Sequence, residues 1–253
     1  MEYLISEVDD AGVATLTIND PDRRNAINLQ MNEEIVEEME RLENSGDARA
    51  IIVTGAGKGF CAGADLGDLL AARERDNIHD IYRGFLRIAH SPLPVVAAVN
   101  GAAVGAGMNM ALAADVIVAG DRARFDSRFL QIGIHPGGGH TWRLMNKTNE
   151  QVTRAMVLFG EVLDGARAAE VGLAWKHVPQ DELMAAAHEM AARAATYPPR
   201  LQRMTKTEMA KLSAIDTSPA AVEHEVKPQV ASMAYPEFQA LVSKLQADIS
   251  SKE

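Results

Sequence analysis

The stretch from Val95 to Gly120, VVAAVNGAAVGAGMNMALAADVIVAG, constrains this chain more than any other. Val95 to Val99 is an apolar run of the length expected for a buried strand, and Asn100-Gly101 ends it. Gly105, Ala106 and Gly107 follow, small enough for a ligand to approach the backbone closely, and the pattern predicts a helix starting there. Val116 to Ala119 brings the chain back as a strand. A glycine-rich helix start carries unpaired N–H groups at the positive end of the helix dipole. Such a start can bind a phosphate, a carboxylate, or a carbonyl oxygen that becomes negative during reaction.

Around this stretch, 253 residues allow one large domain or two small ones, and 47% hydrophobic residues allow a substantial core. The formal net charge of −10 disfavours nucleic acid and anionic membrane surfaces, while leaving room for a local basic patch that holds a phosphorylated ligand. A single cysteine, Cys61, precludes an internal disulfide and fits a reducing compartment. The opening MEYLISEVDD lacks the basic-then-apolar pattern of a secretory signal, and no apolar run approaches the ~18 residues of a membrane span. The expectation is a soluble cytoplasmic protein.

Tyr3–Val8 and Val13–Ile18 read as a hairpin about Asp9-Asp10-Ala11-Gly12. Leu29, Met31, Ile35, Met39 and Leu42 recur at helical spacing among glutamates, and the Glu33, Glu34, Glu37, Glu38, Glu40 run reads as that helix's solvated side. Ala50–Thr54 is a predicted strand, residues 67–76 a charged helix, and Ile78–Ala89 an amphipathic helix ended by His90-Ser91-Pro92. Ala123–Asp126 reads as a short strand and Ser127–Gly139 as a loop. The remainder is mostly helical (140–146, 148–159, 164–170, 181–195, 199–213, 218–232 and 235–250), interrupted by a strand near Ala174–Val178. The last helices have too few neighbours of their own to bury every apolar face, so they are expected to pack on the core or on another subunit.

Two glycine clusters fail as nucleotide motifs. Gly57-Lys58 is followed by Gly59 where a P-loop needs Ser or Thr, and Gly105-Ala106-Gly107 lacks the third glycine of a dinucleotide fingerprint. A nucleotide-dependent oxidoreductase is thereby set aside. His135 and His140 flank Pro136-Gly137-Gly138-Gly139 and could suggest a metal, yet no third ligand accompanies them, so no metal is expected. His135 can alternatively serve as a general base, or belong to a loop whose glycines allow a tight path. Cys61 has no neighbouring base and reads as a small buried residue, and Met108, Met110, Met145 and Met156 read as core or as the lining of an acyl-chain pocket.

Three segments in order resemble the enoyl-CoA hydratase/isomerase (crotonase) superfamily. They are Asp22-Arg23-Arg24-Asn25-Ala26-Ile27-Asn28, then Val53-Thr54-Gly55 through Phe60-Cys61-Ala62-Gly63-Ala64-Asp65-Leu66, then Ala98-Val99-Asn100-Gly101 through Gly105-Ala106-Gly107 and Asp115. Ile132-Gly133, Pro136-Gly137 and the helical tail extend the likeness over nearly the whole chain. The resemblance implies an α/β fold: a core of repeated ββα units over residues 1–195 and a C-terminal helical oligomerisation region over 196–253, building trimers that often pair into hexamers. It implies an acyl-CoA thioester as partner, with no cofactor beyond the coenzyme A of the substrate. It also implies a backbone oxyanion hole formed by the N–H groups of Ala64 and Ala106. Arg24, Ala26, Ala62, Ala64, Asp65, Leu66, Gly105 and Ala106 would line the coenzyme A side, with Arg24 either a phosphate partner or a solvated side chain.

The departures carry equal weight. The resemblance places the two glutamates that activate water in hydratases at Asn109 and Phe129, and neither an amide nor a phenyl ring takes a proton at neutral pH. Asp126 and His135, which bracket the loop bearing the second position, are the preferred replacements; Arg128, Asp68 and Glu74 are further candidates. Two functions from different classes remain: an enzyme with a non-standard acid/base set that isomerises, hydrates or cleaves an acyl-CoA, and a non-catalytic acyl-CoA binder.

Overall fold

The computed structural model describes residues 1–75 and 77–250, apart from the side chains of residues 73–75, 248 and 250. Glu74, one of the candidates above, therefore has its side chain outside the described residues, as does the last residue of the predicted 67–76 helix. Contacts divide the chain into two compact units, Met1–Ala195 and Thr196–Glu253.

The first unit opens with an antiparallel hairpin, β1 (Leu4–Val8) and β2 (Val13–Ile18). Then follow α1 (Leu29–Ser45), β3 (Ala50–Gly55), α2 (Leu66–Arg75), α3 (Ile78–Ala89), β4 (Val95–Val99), β5 (Ala102–Val104), α4 (Ala106–Ala113) and β6 (Val116–Ala119). Next come β7 (Arg124–Asp126), a 3-10 turn over Phe129–Ile132, α5 (His140–Lys147), α6 (Glu150–Leu158), β8 (Leu163–Asp164), α7 (Gly165–Glu170), β9 (Lys176–His177) and α8 (Leu183–Ala195). The larger sheet runs β1-β2-β3-β4-β6-β9, with only β1 and β2 antiparallel, and the smaller runs β5-β7-β8.

The period-2 alternation of the central strands explains why they read as unbroken apolar runs. Ile51, Val53, Val95, Ala97, Val99, Ile117 and Ala119 face one core, against α1, α3 and α4. Ala50, Ile52, Val96, Ala98 and Val118 face the other, against Leu183, Ala187, Ala191 and Ala195 of α8. A strand buried on both faces has no polar side to alternate with. Each fully buried large aliphatic side chain contributes about 1.5–3 kcal/mol. The helices begin where their capping residues sit: the Asn28 side chain accepts from the Met31 amide at 2.7 Å, and Asn149 does the same for Val152 at 3.0 Å.

The structure departs from the sequence expectation in several places. Glu34 and Glu38, expected on the solvated side of α1, are buried, Glu34 accepting from the Glu2 and Tyr3 amides and Glu38 pairing with Arg41, and Met145 is exposed. β5 and β8, three and two residues long, are too short to show a period; β5 lies where no element is expected, and β8 overlaps the start of the helix expected over 164–170. The strand expected over Ala174–Val178 pairs only at Lys176–His177. The loop after β7 holds the 3-10 turn noted above.

Two buried asparagines fix the glycine loop that follows β3. Asn25 donates to the carbonyls of Ala56 (3.0 Å) and Gly59 (2.9 Å), and its Oδ1 accepts from the Asp20 amide. Asn100 donates to Gly55 (2.8 Å) and Gly57 (3.2 Å). Asn25 also sits at φ +58°, a left-handed conformation that asparagine tolerates better than most residues.

The second unit holds α9 (Pro199–Leu212), α10 (Ser218–Met233) and α11 (Pro236–Ser250). The Arg200 guanidinium lies 3.9 Å from the Tyr235 ring centroid, and His224 Nε2 lies 2.7 Å from Glu208. Val222, Val226 and Val230 form an exposed stripe on α10, and Leu241, Leu245 and Ile249 another on α11.

Replacing Asn25 with alanine leaves buried carbonyls without a donor and strains a positive φ. Such a variant should be destabilised by about 3 kcal/mol, measured as a lower urea midpoint, whereas replacement of the exposed Asn44 should leave that midpoint in place.

Candidate functional site

The site is organised by the segment Phe60–Asp65, which runs between two others. On one side the Phe60 and Cys61 amides donate to the Ala102 carbonyl, and Val104 donates to Cys61 at 3.0 Å. On the other, Ala62 donates to Arg24 at 3.0 Å, Ile27 to Gly63 at 2.8 Å, and Asp65 to Ile27 at 2.7 Å. In this one-in-two pattern the Ala64 N–H points away from the Arg24–Ile27 segment. Among the described residues it donates to no protein carbonyl. The Ala106 N–H, at the first residue of α4, likewise has no protein acceptor among the described residues, as expected of an amide in the first turn of a helix.

Glycine makes this arrangement possible. A Cβ on Gly107 would lie 2.1 Å from the Cys61 carbonyl oxygen, so only glycine lets the first turn of α4 reach the Phe60–Asp65 segment. Cys61 itself is fully buried, and burial pushes its thiol up to about 12, which removes it as a nucleophile at neutral pH.

The residues expected on the coenzyme A side lie along the same paired segments. Arg24 is exposed and Ala26 half-buried, facing Ala62, Ala64 and Asp65 across the hydrogen bonds just described. Asp65 Oδ1 accepts from the Gly67 amide at 2.8 Å, which begins α2, and Leu66 is 65% exposed. Gly105 sits at φ +51° and donates to the Asp126 carbonyl at 2.9 Å.

The expected acid/base replacements, Asp126 and His135, each make local contacts of their own. The buried Asp126 carboxylate is held by the Arg128 guanidinium, with Nε at 2.9 Å from Oδ2, and Arg128 is positioned for this by a left-handed φ of +57°. His135 is exposed, its Nδ1 lying 2.7 Å from the Pro136 carbonyl. Asp68 accepts from the Leu29 amide at 3.0 Å, at the start of α1. Among the described residues no three His, Cys, Asp or Glu side chains cluster as a metal site would require.

The imidazole that does reach Asn109 belongs to His140, which the sequence pattern presented only as the end of a glycine loop. His140 is 1% exposed. Its Nδ1 lies 2.8 Å from Asn109 Oδ1, and its Nε2 lies 2.5 Å from the hydroxyl of Ser127, itself buried. Its ring packs on Phe129 with centroids 4.9 Å apart. It therefore sits between Asn109 and Phe129. The Asn109 amide is oriented by its Nδ2, which donates to the Gly137 carbonyl at 3.1 Å. Its oxygen must then face the imidazole, so Nδ1 carries the proton and Nε2 accepts from Ser127. The glycine loop passes this close because Gly138, at φ +65°, has no side chain: a Cβ there would lie 2.5 Å from the Phe85 ring and 3.1 Å from Asn109 Nδ2.

Burial, and secondarily the nearby Arg143 charge, push the His140 imidazolium down to about 4. Folded His140 thus stays neutral down to that pH, while in the unfolded chain it takes a proton near 6.5. Between those values the unfolded state binds more protons, so this contribution to stability is intact above pH 6.5 and is lost as pH falls toward 4. The wild-type chain should lose about 2 kcal/mol more than His140→Gln between pH 8 and pH 5, measured by urea unfolding at both pH values.

Comparison with known proteins places the chain in a family. The family model described as enoyl-CoA hydratase/isomerase matches residues 9–245. A probable enoyl-CoA hydratase of Mycobacterium tuberculosis is 42% identical over 245 residues, covering 94% of this chain and 95% of that one. The 1,2-epoxyphenylacetyl-CoA isomerase of Escherichia coli is 35% identical over 209 residues, covering 78% of each. An enoyl-CoA hydratase/isomerase structure from Mycobacterium abscessus superposes with a TM-score of 0.87 at 28% identity, covering 97% of this chain and 96% of that one. With its glycine-rich helix start, its paired Phe60–Asp65 segment and this match along almost its whole length, the chain belongs to the enoyl-CoA hydratase/isomerase family.

Proposed function

We propose that this chain binds an acyl-CoA thioester with the carbonyl oxygen between the amides of Ala64 and Ala106, and that it does so without the carboxylate pair of ordinary hydration. The observation that carries the reading is the pair of N–H groups left without protein acceptors, on two segments held together at Gly107. A thioester oxygen gains negative charge when its neighbouring carbon is deprotonated or its carbonyl is attacked, and pre-aimed donors stabilise that charge without reorganising. Arg24 and Ala26, beside Ala62 and Asp65, form the coenzyme A side. The nonpolar Phe129 and the neutral Asn109 support a reaction other than two-carboxylate hydration: isomerisation, hydration by other groups, or cleavage. The exposed stripes of α10 and α11 support an oligomerising role for the second unit.

An enoyl thioester whose chromophore reports on its carbonyl tests the reading. Bound to the wild-type chain, its absorbance should shift to the red. Ala106→Pro removes one donor at a helix position that tolerates proline, and it should abolish the shift and lower any acyl-CoA turnover by about 100- to 1,000-fold. A shift that survives in the folded variant overturns the assignment. Loss of the conjugated absorbance at an ordinary enzymatic rate of roughly 10 per second or faster would overturn the reading of Asn109 and Phe129, and binding without turnover across a broad thioester panel would identify a binder. Asn109→Glu combined with Phe129→Glu should gain hydratase activity, measured by the same absorbance.

A further inference from the structure

Resting on that acyl-CoA reading, we propose that Ser127, His140 and Asn109 act as nucleophile, proton acceptor and positioning residue, and that the site hydrolyses acyl-CoA thioesters through an acyl-serine. Three observations lead there. The first is the order of the chain of hydrogen bonds: hydroxyl to Nε2 at 2.5 Å, Nδ1–H to an amide oxygen at 2.8 Å, and that amide anchored in turn on the Gly137 carbonyl at 3.1 Å. This is the connectivity that activates a hydroxyl for attack. The anchor matters because an unanchored asparagine could turn its NH2 toward the ring and impose the wrong tautomer.

The second observation is location. β5 and β7 pair in parallel, Val104 against Asp126, and Gly105 donates to the Asp126 carbonyl at 2.9 Å. Ser127 and Ala106 are therefore each one residue beyond paired positions, which makes the residue bearing the hydroxyl a backbone neighbour of the residue bearing one of the two proposed oxyanion donors. The imidazole occupies the space between Asn109 and Phe129, the positions where the family's hydratases would carry their carboxylates. The third is cost. Three buried polar side chains need one another to offset desolvation, whereas apolar side chains would fill the same volume without that demand.

Ser127 Oγ forms a bond to the thioester carbon while its proton passes to His140 Nε2, and the carbonyl π electrons move onto the oxygen held by the Ala64 and Ala106 amides. Collapse breaks the C–S bond, and the departing thiolate takes the proton from Nε2, leaving an acyl-serine. Water attacks that ester with the same imidazole accepting its proton, and the carboxylic acid leaves as Ser127 recovers its own. The net reaction is acyl-CoA plus water to carboxylic acid plus coenzyme A. With an amide in place of a carboxylate behind the imidazole, the imidazolium formed in each step is held less strongly, so slow turnover is expected.

Hexanoyl-CoA is the probe, because a saturated chain can be neither hydrated nor isomerised. The full chain is incubated with it, released thiol is followed with a chromogenic disulfide, and acid-quenched samples are digested to locate any acyl adduct by mass. Binding is measured in parallel by calorimetry, and folding of each variant by its melting curve. Expected are thiol release, a hexanoyl adduct on the peptide bearing Ser127, and a loss of about 100-fold or more in Ser127→Ala and in His140→Gln with binding retained. Asn109→Asp should raise kcat about tenfold at unchanged KM, because a carboxylate stabilises the imidazolium; an unchanged kcat would remove Asn109 from its role. Thiol release that persists in Ser127→Ala, an adduct on any other residue, or hexanoyl-CoA that binds and stays intact overturns the hydrolase proposal and leaves the acyl-CoA site standing. Failure to bind any acyl-CoA overturns both.

Discussion

The contact between Gly107 and the Cys61 carbonyl sets the geometry on which the site depends. A missing Cβ lets the first turn of α4 lie against the Phe60–Asp65 segment, where a methyl group would meet backbone oxygen at 2.1 Å. That approach is reinforced by the β5 hydrogen bonds to Cys61 and, behind them, by Asn25 and Asn100 holding the glycine loop in place. Rigid support of this kind matters because a donor aimed at a developing charge works only where it is already in position.

Around that fixed frame the side chains have a different character from a two-carboxylate site. Asn109, His140 and Ser127 form a neutral, buried, mutually satisfied chain, and Phe129 covers the imidazole with an apolar face. The desolvation that keeps the imidazole uncharged leaves Nε2 unprotonated over the whole physiological range, where it pairs with the Ser127 hydroxyl. The one carboxylate nearby in sequence, Asp126, is neutralised by Arg128.

Much of the fold was legible in the sequence because the central strands are buried on both faces and the helices carry their own caps. β5 and β8 were not, since pairs and triplets of residues show no period and owe their conformation to the strands beside them. The asparagines of the two motifs, Asn25 and Asn100, were recognisable as motif, but their work of holding loop carbonyls exists only in three dimensions. The same holds for the site. Gly105-Ala106-Gly107 announced a helix start, and Asn109 and Phe129 announced altered chemistry. Asp126 and His135 drew attention because they flank the right loop; in the fold Asp126 pairs with Arg128 and the exposed His135 contacts the Pro136 carbonyl, neither of which spacing could show. His140 was legible only as one of two histidines around three glycines. A usable signal was nevertheless present: an amide standing where a carboxylate is expected needs a polar neighbour, and the first residue after a run of glycines is free to supply one.

The two unpaired amides at Ala64 and Ala106 belong to the main chain. A side chain can be exchanged by one nucleotide change, but a peptide N–H persists through every replacement except proline. Under the proposed reading, polarisation of a bound carbonyl by such groups would persist while the surrounding residues drift, so new reactions could be tried on the scaffold without first rebuilding the means of holding the carbonyl.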